Sequence, residues 1–106
     1  MNIEDYDNII KECRTIAITK NRIYGDKNLL RFGLLGIYIR MQDKLERIEN
    51  ILFTDKDNLF RYNEGINLKE IDETIEDTYK DLLNYINYSI QILRKQLGAV
   101  KKDEEN

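Results

Sequence analysis

The chain has 106 residues, of which 42% are hydrophobic and 35% charged, with a formal net charge of −3. That is the balance of one small folded domain, and it supplies no global electrostatic reason to coat nucleic acid or an anionic membrane. Histidine and proline are absent and cysteine occurs once, which excludes Ser–His triads, histidine general bases, zinc sites built from His or several Cys, and an internal disulfide.

A first helix is expected over about residues 3–20. Tyr6, Ile9, Ile10, Cys13, Ile16 and Ala17 recur at helical spacing and form its apolar face, and Asn2 is placed to cap its start. Cys13 falls on that face, where a small buried thiol is expected. A polar connection over residues 21–28 comes next, with Gly25 as its flexible point.

The second helix is expected over about residues 29–53. Its first half is apolar on nearly every side, the mark of a central, largely buried helix, and its second half narrows to Met41, Leu45, Ile48 and Leu52. Gly33 and Gly36 lie inside it. Each costs about 1 kcal/mol relative to alanine, which points to another backbone or a ligand approaching that side.

Residues 54–66 read as a loop with one short turn near 58–62. The third helix starts at Asn67, which with Glu70 forms a capping-box pattern. Ile71, Ile75, Leu82, Ile86 and Leu93 mark its apolar stripe, Gly98 is placed as its C-terminal cap, and residues 99–106 read as a disordered charged tail. The expected architecture is all-α: one domain over residues 1–98, with helices two and three long and antiparallel.

Asp77, Asp81, Asn84 and Tyr88 form one polar stripe on the third helix, at i, i+4, i+7 and i+11. Like charges one turn apart repel, so a neutralising partner is expected. Antiparallel pairing sets Asp43 level with about Asp81, Arg47 level with Asp77, and Gly36 near Asn84 or Tyr88. This register allows two readings. In one, Arg40 and Arg47 neutralise Asp43, Asp77 and Asp81 and fix the helix register. In the other, Asp43, Asp77 and Asp81, with Glu46 and Glu73 beside them, hold Mg²⁺, and Arg40, Lys44 and Arg47 grip phosphate oxygens.

Three stretches also carry a resemblance. They are Lys20-Asn21-Arg22-Ile23-Tyr24-Gly25-Asp26, the Arg40-x-x-Asp43-Lys44-x-x-Arg47 core within residues 36–52, and the run from Glu73 to Tyr85. Together, over about residues 18–90, they resemble the nucleotide modification associated domain, type 1, a small helical family of phages and prokaryotes. The arrangement is also similar to the all-α nucleoside triphosphate pyrophosphatases of the MazG and dimeric dUTPase kind. That group typically has Glu-x-x-Glu followed by Glu-x-x-Asp, whereas this chain offers Asp43-x-x-Glu46 and Asp77-x-x-x-Asp81.

The resemblance implies a nucleotide-handling protein linked to nucleotide or DNA-base modification, with Mg²⁺-dependent pyrophosphohydrolysis of a nucleoside triphosphate as its catalytic form. Nucleotide contacts would then involve Arg40, Lys44, Arg47 and Asn84, and Tyr24 would cover the base or simply pack the returning loop. The alternative is a non-catalytic helical module that binds nucleotide or a partner protein. Surplus apolar residues in the first half of helix two, with Tyr79, Tyr85 and Tyr88, add the expectation of a homo-oligomer. No apolar run reaches membrane-spanning length and no signal pattern opens the chain, so a cytoplasmic location is expected. The sequence makes no strong case for direct binding to nucleic acid.

Overall fold

The computed structural model describes residues 1–25, 31–56, 59–62 and 68–105, with side chains for all of these except 24, 54–62, 68–74 and 99–105. The described residues form α1 (Ile3–Tyr24), α2 (Gly33–Leu52), a hairpin of β1 (Phe53–Lys56) and β2 (Leu59–Tyr62), and α3 (Leu68–Glu105). The class is all-α, as the helical periods require, with one small hairpin inserted between the last two helices.

Helix α1 begins where its sequence provides a cap. The Asn2 side-chain oxygen accepts a hydrogen bond from the Asp5 N–H at 3.0 Å, and Glu4 and Asp5 place negative charge in the first turn. The helix continues past residue 20 to Tyr24 and stops at Gly25, whose N–H donates to the Asn21 carbonyl at 2.8 Å. Gly25 has φ 72° and ψ 167°, a conformation essentially confined to glycine. It is the stop of α1.

Helix α2 starts at Gly33, four residues later than expected, with φ +57° at its first residue and nothing within 4 Å of a Cβ placed there. A Cβ on Gly36 would meet the Phe32 Cβ at 2.6 Å. The close approach expected at these glycines is therefore local, between one turn and the side chain that precedes it. Nor is α2 the central helix. Ile37 and Ile48 are buried, but Leu35, Tyr38, Ile39 and Leu45 are exposed.

That central place belongs to α3, the element against which both other helices pack. It runs antiparallel to α2 and passes straight through Gly98, so residues 99–105 are helical where a disordered tail was expected. Residues 53–56 and 59–62 correct the loop expectation where they are described. Phe53 pairs with Tyr62, Thr54 with Arg61, Asp55 with Phe60 and Lys56 with Leu59, in an antiparallel ladder. Asn67 lies outside the described residues, so its capping box does too. The core is slender: Cys13, Ile37, Ile48 and Leu82 are its buried apolar members among the described residues. The radius of gyration is 17.6 Å, against about 13 Å for a compact chain of this length. None of the described helices is long and apolar enough to cross a membrane.

Candidate functional site

The polar stripe of α3 sits where α1 and α2 converge on it. Asp77, at its N-terminal end, is exposed, Asp81 is half-buried, and Asn84 is buried. One face of one helix thus passes from solvent to interior within two turns. Asn84 donates from its side-chain amide to the Cys13 carbonyl at 3.0 Å, which ties α3 to α1 at the level of the buried thiol. Its observed partner is backbone. Burial pushes the Cys13 thiol pKa up, against a smaller opposing effect of Lys80, so the thiol stays protonated and unreactive.

Asp81 is the charged centre of the arrangement. Lys20 from α1 reaches one carboxylate oxygen at 2.7 Å, and Lys44 from α2 reaches the other at 3.1 Å. Burial raises the Asp81 pKa, but the hydrogen bonds from Lys20 and then Lys44 outweigh it and the net shift is downward. The Lys20 pKa shows the converse. Desolvation lowers it, yet the bond to Asp81 prevails and the net shift is upward. A second knot lies beside the first. Lys80 of α3 is held between Glu12 of α1 and Glu76 of its own helix, both at 3.1 Å.

The neutralising partners of Asp81 are therefore lysines from two helices, where Arg40 and Arg47 were expected. Lys44 lies within one residue of the expected antiparallel register. Lys20 was overlooked, although the sequence carries a signal for it. It falls seven residues after Cys13, on the same helical face as Cys13, Ile16 and Ala17, and a cation on an apolar face needs a carboxylate opposite.

The other anticipated residues lie elsewhere. Asp43, Glu46 and Arg47 are exposed on α2 and line one shallow depression of about 360 Å³ with Asn50 and Ile51. Arg40 is exposed on that helix and has an interaction of its own. The polar side of α2 is thus turned away from the Ile37–Lys44–Ile48 strip that meets α3. The side chains of Tyr24 and Glu73 lie outside the described residues. Among the described residues, no three Asp, Glu, Cys or His side chains gather closely enough to hold a metal ion. Both Asp81 oxygens already face ammonium groups. Of the acids expected at Mg²⁺, Asp43, Glu46 and Asp77 are thus exposed, while Asp81 is held between two lysines.

What the geometry does provide is a pair of charge knots that fix three helices in register. Between α1 and α3, Ile9, Cys13, Ile75, Tyr79 and Leu83 line a largely apolar groove of about 330 Å³, with Glu76 and Lys80 at its edge. Comparison with family models, with curated proteins and with solved structures gave no match to this chain.

Proposed function

We propose that this chain is a helical assembly module, working through the apolar faces of its helices rather than through chemistry at its carboxylates. The observation that carries this reading is the imbalance between its core and its surface. Four apolar residues are buried among those described, while Leu35, Tyr38, Ile39, Ile86, Ile90 and Leu97 are each at least 44% exposed. A lone exposed leucine means little, but such residues along successive helical turns mark a surface made to be covered. Asp81, whose two oxygens are engaged by lysines, acts here as a clamp between helices. A cytoplasmic setting suits the lone free thiol.

A second reading is favoured by the convergence of Lys20 and Lys44, with Arg40 and Arg47 on the same helix as Lys44. Two ammonium groups from different helices within reach of one point form a cradle for phosphate oxygens, and the resemblance over residues 18–90 supports a nucleotide as the ligand. Mg²⁺ would then arrive with the nucleotide phosphates.

One experiment separates the two. The chain is incubated with each ribo- and deoxyribonucleoside triphosphate, with Mg²⁺ or with chelator, and monitored for pyrophosphate release and for melting temperature. The assembly reading expects no turnover and a melting temperature unchanged within about 1 °C. Pyrophosphate release overturns it. A nucleotide-dependent rise of several degrees without turnover favours the phosphate cradle instead.

A further inference from the structure

Helix α3 has a second apolar face that the other described elements leave uncovered. Tyr79, Leu83, Ile86, Ile90, Leu93 and Leu97 succeed one another at alternating intervals of four and three residues. This is the heptad pattern by which one helix supercoils on another, knobs into holes. Apart from Leu83, which is half-buried, these side chains are 43–57% exposed. Tyr79 and Leu83 also line the groove between α1 and α3, so seam and groove form one continuous surface.

The exposed surface of the whole chain points to the kind of partner. The chain exposes 9042 Å², where a folded monomer of 12.7 kDa exposes about 6,200 Å². The excess of about 2,800 Å² per chain, about 5,600 Å² for two copies, reaches the size that large permanent homodimers bury and lies well above the area covered by transient pairs. None of the six seam positions is charged. A seam that is apolar throughout asks of its partner the same apolar repeat, and the chain itself supplies one. Two-fold symmetry needs nothing more than such a self-complementary patch.

We infer that a second copy of this chain covers this face, α3 lying against α3 about a two-fold axis, with the α1–α3 groove at the edge of the interface. The inference rests on the assembly reading above and names its partner. The seam therefore belongs to the dimer, while Ile37, Ile48 and Leu82 form the core of each protomer.

Sedimentation equilibrium of the full chain, from about 1 to 200 µM, provides the test. The expected species has about 25 kDa, twice the 12.7 kDa of one chain. Ile90→Lys sets a charge in the middle of the seam and is expected to raise the dissociation constant about 100-fold or more. If that variant fails to fold, Leu97→Gln is the milder probe, with a weakening of about tenfold and the helical circular dichroism retained. Glu49→Lys, an exposed charge on α2 outside the apolar faces, is expected to leave the dimer intact. A wild-type monomer throughout, a dimer unaffected by the seam variants, or equal loss with Glu49→Lys each overturns the inference. A wild-type monomer would leave the seam to a different protein, and self-pairing would fail without the assembly reading, which falls instead on nucleotide turnover.

Discussion

At Asp81 two lysines oppose the cost of burial, and their balance sets how the chain responds to pH. The carboxyl pKa is below its ordinary value of 3.8 in the folded chain, so its contribution is complete above that value and is lost as pH falls through the depressed one. For Lys20 and Lys80 the folded pKa lies above 10.5, so their contributions persist up to that value and are lost as pH rises beyond it. Asp81→Asn is expected to cost about 1–2 kcal/mol at neutral pH, between the values typical of exposed and of fully buried pairs. Urea unfolding of both proteins along a pH series checks this, with the difference between them closing below pH 3.8. A difference constant down to pH 2 would show that the asparagine acts through shape and not charge. The stripe containing Asp81 is legible in the sequence because helical spacing alone defines it. Its partners are less so. Lysine reaches over four methylenes, and which of several cations arrives depends on how three helices cross, a quantity that no single helix encodes.

At the scale of elements, the helices are legible and their ends are not. Periodicity locates α1, α2 and α3 because an apolar stripe must face something, whereas a boundary depends on one or two residues. Gly25 stops α1 through a conformation that other residues avoid, but Gly98 stops nothing. The two are the same residue type, and the difference lies in their C-terminal neighbours. Beyond Gly25 the apolar period lapses, while Gly98 is succeeded by Ala99 and, after Val100, by Lys101 and Lys102, three good helix formers. Gly98→Ala therefore distinguishes a cap from a mid-helix glycine by the sign of its effect. A glycine at a left-handed cap is destabilised by a Cβ. Gly98 lies inside α3, and a Cβ there meets nothing within 4 Å, so the substitution is expected to stabilise the chain by about 0.5–1 kcal/mol in thermal or urea unfolding. Destabilisation would return the helix end to Gly98. The hairpin was missed for a related reason. Its strands are four residues each, too short to display a period of two, although Asp57 and Asn58, residue types common in turns, stand between segments carrying Phe53, Phe60 and Tyr62.

For the whole molecule, the decisive relation is between length and core. The principal extents are 60 × 35 × 31 Å, and one long helix sets the largest of them. A 38-residue helix cannot be sheathed on all sides by partners of 22 and 20 residues; part of its apolar surface stays bare in one copy. The expectation of a central second helix failed on this point. A helix apolar on nearly every side reads as buried only if the fold has enough partners to bury it, and composition does not count partners. If stability is completed by pairing, folding and association become one equilibrium, and melting must depend on concentration. With an unfolding entropy of about 2.1 cal/mol/K per residue, a dimer of two 106-residue chains raises its melting temperature by about 3 °C for each tenfold increase in concentration. Calorimetry from about 5 to 500 µM thus spans a shift of about 6 °C. Ile90→Lys is expected to lower the melting temperature and flatten this slope together, because the same contacts set both. A variant that melts early yet keeps the full slope would place Ile90 in the protomer core and the pairing surface on another helix.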